Sequence, residues 1–211
     1  MLFRSLGKII TGEIPISDFE KYFKNRHSEG FDANIHFEKI GVINQTTQLA
    51  TDTQAISDYL KSIIAQKYGK ENISAHFADT RDTLCYATND NQSAVIELLN
   101  TPADLAIVMG GKNSSNSSHL VELCEQKLPT YFIDDANKII DQHQIIKSNW
   151  KDKSEQIVQD YLPSKNSATI LMTSGASCPD TVVESVIRKI AGYYNVEEAL
   201  EDVIQFWQGP N

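Results

Sequence analysis

The sequence predicts an α/β protein made of two small, doubly wound domains with parallel sheets. Short apolar runs that are typical of buried strands lead into polar turns, and apolar residues at helical spacing follow each turn. The clearest examples are residues 105–124 and 168–190. Repeated strand–turn–helix units favour parallel strands joined by right-handed crossovers. We therefore expect one domain over residues 36–100 and a second over residues 101–211, which ends in a helix.

The segments outside these units are less regular. Residues 1–35 predict an N-terminal extension with a short helix, because three aromatic residues within positions 19–23 share helical spacing. Residues 143–167 contain lysines, asparagines and a proline, a composition that indicates a connecting helix with loops. Apolar residues at positions 203–207 predict that the terminal helix packs onto the second domain.

Composition excludes several classes of partner and location. The formal net charge of −9 argues against nucleic acid or an anionic membrane surface as a partner. No run approaches the roughly 18 apolar residues of a membrane span, and the first residues lack the apolar stretch of a signal peptide. Three cysteines without a paired framework are typical of a reducing compartment. We therefore expect a cytoplasmic protein, or a stromal one in a eukaryote with plastids.

The turn after the apolar run 105–109 is rich in hydrogen-bond donors. Residues 110–118 contain two glycines, one lysine, two asparagines and four serines, and a helical pattern follows. Free N–H groups and the helix dipole at such an N-terminus favour an anion. Comparable turns occur at residues 173–180 and 44–47. In an open parallel sheet such turns meet at the carboxyl ends of the strands, where ligands bind.

Each of these turns also has a simpler explanation. Serine, threonine, asparagine and aspartate cap helices and fill loops whether or not a ligand binds. Capping accounts well for any one turn taken alone. Three such turns with glycines, and a fourth at residues 82–92 that carries Cys85, favour a shared phosphate-type ligand.

Four motifs resemble a known family. They are Asn44-Gln45-Thr46-Thr47, Thr83-Leu84-Cys85-Tyr86-Ala87-Thr88, Lys112-Asn113-Ser114-Ser115-Asn116-Ser117 and Ser174-Gly175-Ala176-Ser177. The same motifs occur in the same order in the LytB or IspH family of 4-hydroxy-3-methylbut-2-enyl diphosphate reductases. The resemblance runs from about residue 36 to residue 192. It implies a fold of three similar α/β domains around a central cavity, of which two would be present here.

The resemblance also implies a reaction. Enzymes of this family remove an allylic hydroxyl by two-electron reduction, in the last step of non-mevalonate isoprenoid synthesis, and so form isopentenyl and dimethylallyl diphosphate. The implied cofactor is a [4Fe–4S] cluster held by three cysteines. The implied partners are the small-molecule diphosphate substrate and an electron donor such as ferredoxin or flavodoxin.

The resemblance assigns roles to particular residues. Cys85 matches one of the three cluster cysteines, and Thr46 matches a threonine close to the substrate, which we treat as catalytic. The positions that match the diphosphate-binding residues are Ser114, Ser115, Asn116 and Ser177. These assignments agree with the chemistry of the side chains, because a diphosphate needs many neutral donors and a cluster iron needs a thiolate.

Other functional groups of the family have no match in this sequence. These are two cluster cysteines, two diphosphate-binding histidines, and the histidine and glutamate that deliver protons. Cys124 is expected to be a buried apolar residue and Cys178 a packed residue of a first helical turn. We therefore expect the C-terminal part of a reductase, incomplete by itself, with the missing N-terminal half as a further partner. A diphosphate-binding module without redox chemistry and an inactive fragment are the alternatives.

Overall fold

The chain folds into two compact units, Met1–Leu84 and Cys85–Asn211. In a computed structural model of the protein, the residues described are 2–78, 80, 85–165 and 167–208, without the side chains of the last two. The three-part division expected from the sequence, with boundaries after residues 35 and 100, stays a prediction.

The first unit is built from helices around an aromatic and aliphatic core. Its helices are α1 (Leu2–Thr11), α2 (Phe19–Phe23), α3 (Ala33–His36), α4 (Ala50–Tyr68) and α5 (Ile73–His76), with single 3₁₀ turns at Ile16–Asp18 and Lys70–Asn72. The helix expected near residue 20 is thereby confirmed. Helix α1 packs against α4, and their buried residues include Ile9, Ile10, Leu60 and Ile64.

In the described part of this unit, the β structure consists of one parallel bridge. Ile40 pairs with Phe77, and the Ile40 N–H donates to the His76 carbonyl oxygen at 3.0 Å. The small sheet expected in this region is therefore reduced, within the described residues, to that bridge. The residues beside the bridge do not extend it into strands. On one side Ile43 is 75% exposed, and on the other side helix α5 occupies the segment just before Phe77.

The second unit contains a parallel sheet flanked by helices. Its strands are β1 (Leu105–Met109), β2 (Thr130–Ile133), β3 (Gln144–Ser148), β4 (Glu155–Gln159) and β5 (Ile170–Ser174). Its helices are α6 (Tyr86–Leu98), α7 (Ser115–Glu125), α8 (Asp180–Tyr193) and α9 (Glu197–Gln208), with a 3₁₀ turn at Ala136–Lys138. Strands β2, β1 and β5 pair in that order, all parallel. This arrangement confirms the α/β fold class, and α9 confirms the terminal helix.

The segment expected to be a connecting helix is a β-hairpin, so that prediction was wrong. Strands β3 and β4 pair antiparallel, with Ile145 opposite Val158 and Ile146 opposite Ile157. These β-branched residues favour a strand, and Ile145 is fully buried in the core of the unit. The lysines and the proline around them indicated loops correctly, but they did not reveal the two short apolar pairs that hold the hairpin.

The core of the second unit lies around β1. All five β1 residues are buried, as expected for a central parallel strand covered on both faces. Phe132, Ile133, Leu120 and Val186 from the neighbouring elements are buried as well. Among the described residues, no helix combines the length and the apolar character that a bilayer crossing requires.

We expect Ile107→Ala to lower the free energy of unfolding by about 2–5 kcal/mol, because it leaves a cavity in the middle of β1. Ile107 has no exposed surface, whereas Ile157 on β4 is 59% exposed. Ile157→Ala is therefore the matched control, with an expected change within about 0.5 kcal/mol. Urea unfolding followed by circular dichroism measures both. Equal losses in the two variants would contradict the placement of the core.

Candidate functional site

Two neighbouring strand ends bring the sequence-predicted donor turns together. Met109 at the end of β1 is the register partner of Ser174 at the end of β5. The α7 turn (residues 110–114) and the α8 turn (residues 175–179) therefore leave the same edge of the sheet. The Gly175 N–H donates to the Met109 carbonyl oxygen at 2.9 Å, which ties the α8 turn directly to β1. The prediction that these turns meet at the carboxyl edge of a parallel sheet is confirmed for both.

The N-terminus of α7 is capped by a serine. The Ser117 N–H donates to Ser114 Oγ at 3.3 Å, and the Ser114 N–H donates to the Gly111 carbonyl oxygen at 2.8 Å. Ser115, the first residue of the helix, is exposed. The cap satisfies one N–H group and leaves others of the first turn available, where the dipole of an 11-residue helix favours negative charge.

Asn116 is buried in this first turn without a hydrogen-bond partner. Its side chain is 7% exposed, and neither Nδ2 nor Oδ1 finds a partner among the described residues. A buried polar group left unpaired is destabilising by about 1–3 kcal/mol. A molecule bound at this turn would complete its hydrogen bonds.

Ser177 lies on the α8 turn and is exposed. The turn is closed by the Cys178 N–H, which donates to the Gly175 carbonyl oxygen at 2.8 Å. The structure thus places Ser177 on the strand end next to the one that carries Ser114, Ser115 and Asn116. Thr46 is an exposed turn residue of the first unit. The functional roles of these five residues stay predictions.

Cys85 is an exposed thiol that directly precedes α6. Its Sγ lies 3.0 Å from Thr88 Oγ1. The Thr88 hydroxyl, followed by the Thr88 backbone, lowers the pKa of the Cys85 thiol because both stabilise the thiolate.

Farther along α6, Asn91 Nδ2 donates to the Ser174 carbonyl oxygen at 3.3 Å. This contact joins α6 to the strand end that bears the α8 turn. Sequence reasoning missed Asn91, because no local pattern distinguishes it from an ordinary helix residue.

The other two cysteines are poorer metal ligands. Cys124 is buried in α7, as expected, and burial raises the pKa of its thiol to about 11. Partial burial also raises the pKa of Cys178. The part of the chain that the structure describes contains no cluster of three or more histidine, cysteine or acidic residues positioned for a metal. Of the three cysteines, Cys85 therefore has the exposure and the lowered thiol pKa that suit a metal ligand.

A comparison with protein families agrees with these motifs. Residues 12–191 match the family model described as "LytB protein". The chain belongs to the LytB family. The match spans both turns of the site, Cys85 and Thr46.

Relatives of this LytB chain are named 4-hydroxy-3-methylbut-2-enyl diphosphate reductase. One from Microcystis aeruginosa is 38% identical over 178 residues, which are 84% of this chain and 44% of the relative. One from Rippkaea orientalis is 40% identical over 174 residues, which are 82% of this chain and 42% of the relative. The chain therefore spans less than half the length of these curated relatives. A solved Plasmodium falciparum reductase covers 72% of this chain and 39% of its own, with a TM-score of 0.49 and 23% identity.

The β3–β4 hairpin supplies charges that the sequence did not associate with the site. The Lys112 ammonium of the α7 turn lies 3.7 Å from the Glu155 carboxylate, which Lys138 also contacts at 2.8 Å. Lys138 and then Lys112 hold the pKa of Glu155 below its usual value. Lys153 Nζ donates to Ser118 Oγ of α7 at 3.3 Å. No pattern in the sequence predicts these contacts, because they join the region around the α7 turn to a distant segment that was expected to be helical.

We expect Cys85 to be the fastest of the three cysteines to react with iodoacetamide near neutral pH, because its thiolate is both exposed and stabilised. Thr88→Val removes the hydroxyl, so the pKa of Cys85 should rise and its alkylation profile should move to higher pH. Thr88→Ser keeps the hydroxyl and serves as the matched control. Mass spectrometry of the alkylated peptides measures each rate. An unchanged profile in Thr88→Val would show that the hydroxyl does not govern the thiol.

Proposed function

We propose that this LytB chain is the C-terminal part of a 4-hydroxy-3-methylbut-2-enyl diphosphate reductase of non-mevalonate isoprenoid synthesis. The chain contributes the diphosphate-binding groups and one cysteine ligand of an iron–sulfur cluster. The observation that carries the proposal is the meeting of the α7 and α8 turns at one sheet edge, where the buried Asn116 amide has no partner among the described residues. The names of the relatives supply the substrate.

The diphosphate is held by neutral donors on the two turns. Ser114, Ser115 and Asn116 lie at the N-terminus of α7, and Ser177 lies on the neighbouring strand end. Hydrogen bonds to a charged phosphate oxygen contribute about 1.5–3 kcal/mol each, roughly twice a neutral pair. Neutral donors and the α7 dipole therefore suffice to bind an anion, even though the chain as a whole carries a net charge of −9.

Cys85 is the cluster ligand that this chain provides. Its exposure and the Thr88 hydroxyl favour the thiolate form, which is the form that binds iron. A bound [4Fe–4S] cluster would supply the two electrons and a Lewis-acidic iron for the leaving hydroxyl. The other ligands come from the portion of the relatives that this chain does not span. Thr46, an exposed turn residue, is the catalytic threonine that the resemblance to the family assigns.

The electron donor is a small redox protein such as ferredoxin or flavodoxin. Electrons are delivered one at a time by such carriers, so two encounters complete each turnover. The free thiols of the chain suit the reducing cytoplasm in which these carriers work.

We expect inorganic pyrophosphate to bind the chain, with the affinity lowered about tenfold by Asn116→Ala, because one charge-assisted hydrogen bond is lost. The matched control is Ser185→Ala, which removes an exposed serine hydroxyl of α8 away from the sheet edge. Isothermal titration calorimetry measures the three dissociation constants. No heat of binding in the unmodified chain would refute the diphosphate site. Binding that is insensitive to Asn116 would place the site elsewhere.

We expect anaerobic treatment with iron and sulfide to yield stable bound iron only when the chain is mixed with the remaining portion of the Microcystis aeruginosa relative. The chain alone should give no turnover with 4-hydroxy-3-methylbut-2-enyl diphosphate and a chemical reductant. Cys85→Ser should abolish iron retention in the mixture, whereas Cys124→Ala should keep it. Iron analysis beside the visible absorption band provides the measurement.

The possible outcomes of that reconstitution separate three functions. A cluster in the mixture alone supports the split reductase site. A stable cluster on the chain alone would mean that other residues, such as Cys178, complete the ligand set. Pyrophosphate binding that survives Cys85→Ser, with no iron retained under any condition, would instead favour a binding module without redox chemistry.

A further inference from the structure

The Ser117 side chain is enclosed between the two strand ends that carry the proposed site. It is the third residue of α7 and has no exposed surface. Its Oγ has no hydrogen-bond partner among the described residues. A buried, unpaired hydroxyl carries a desolvation cost that an alanine methyl would avoid. The side chain therefore has a role other than forming a hydrogen bond inside the core.

Two glycines form the slot that Ser117 fills. A Cβ added at Gly110 or at Gly175 would meet Ser117 Oγ well inside van der Waals contact. Apart from the contact with Oγ, a Cβ added at Gly110 would lie 2.9 Å from Ser117 Cβ, and a Cβ added at Gly175 would lie 3.3 Å from it. The hydroxymethyl group is thus in close contact with the first residue of the α7 turn and with the first residue of the α8 turn.

Each residue around the slot is fixed by backbone hydrogen bonds. The Gly110 N–H donates to the Ile133 carbonyl oxygen at 3.0 Å, and the Gly175 N–H donates to Met109 at 2.9 Å. The N–H of Ser117 itself is held by Ser114 Oγ. Because both glycines are held to strand ends, the way Ser117 packs between them sets how closely the first turn of α7 approaches the α8 turn.

We propose that Ser117 is a positioning residue that sets the distance between the α7 and α8 turns, so that both engage one diphosphate. The inference rests on the proposed diphosphate site. In this role the buried Ser117 side chain acts as a spacer between the donors of Asn116 and its neighbours and the donor of Ser177, and not as a donor to the ligand. Two phosphoryl groups need both turns at the right separation, whereas a single phosphate needs only one.

The slot predicts an asymmetric pattern of thermal stability. Gly110→Ala and Gly175→Ala should each lower the melting temperature, because the new methyl meets Ser117 Oγ. Adding Ser117→Ala should restore most of the loss in Gly175→Ala, since the nearest remaining side-chain atom lies at 3.3 Å. The same addition should restore little in Gly110→Ala, because the 2.9 Å contact persists and the positive φ of 158° at Gly110 also disfavours alanine. Gly111→Ala is the stability control, because its Cβ would meet nothing within 4 Å.

The positioning role is tested by comparing two anions on the full chain. Ser117→Ala should leave the melting temperature unchanged or raised, because the unpaired hydroxyl is gone. It should also lower the affinity for inorganic pyrophosphate about five- to tenfold, while the affinity for orthophosphate changes less than about twofold. Calorimetric titration of both anions gives the ratio of the two affinities.

The results distinguish the inference from the proposed function. A pyrophosphate-to-orthophosphate ratio that Ser117→Ala leaves unchanged would overturn the positioning role, and so would an equal loss for both anions. Rescue of Gly110→Ala to the same extent as Gly175→Ala would overturn the slot itself. Absence of pyrophosphate binding in the unmodified chain would refute the diphosphate site, while the melting series would still decide whether Ser117 is the spacer.

Discussion

The parallel pairing of β1 with β5 is the interaction on which the rest of the site depends. These strands are far apart in the sequence, and only their register makes the α7 turn and the α8 turn neighbours. Bringing together segments that are distant in the sequence costs chain entropy, and contacts between sequence neighbours do not compensate for that cost. Complete burial of the five β1 residues offsets that cost, since burying one aliphatic side chain contributes about 1.5–3 kcal/mol. The apolar core and the polar edge are therefore consequences of the same pairing.

The polar edge is locally destabilising in the absence of a ligand. Asn116 and Ser117 bury side-chain atoms that have no partner among the described residues. Natural proteins tolerate such groups mainly where function requires them, because the surrounding fold compensates. In the proposed site a diphosphate would complete the hydrogen bonds of Asn116, whereas Ser117 is in close contact with two glycines. Neighbouring residues of one helical turn thus have different physical roles.

Local dipoles outweigh net charge at this edge. The chain carries a formal charge of −9, yet the α7 N-terminus presents N–H groups and hydroxyls toward solvent. Lys112, the cation of the α7 turn, lies near Glu155, which is contacted more closely by Lys138. All three side chains are partly exposed, so the pair has little effect on stability and does not neutralise the turn. The proposed anion site therefore relies on the geometry of neutral donors and not on the net charge of the chain.

Several features were predictable from the sequence because they follow from local patterns. The apolar runs at 105–109 and 168–172, the donor turns after them, and the helices that follow were all predictable from periodicity and capping residues. The motif order around Cys85 and Asn116 pointed to the family that residues 12–191 match. Hairpin β3–β4 was missed because its two short apolar pairs are weak signals until they face each other.

The sequence by itself determined the apolar run at residues 105–109, the donor turns and the helices that follow them, because these features depend on neighbours along the chain. Only the tertiary structure decided that the described residues offer the Asn116 side chain no partner, that Lys112 meets Glu155, and that Ser117 fits between Gly110 and Gly175. These features depend on side chains from distant segments meeting in space, and no periodicity in a single sequence records such distances.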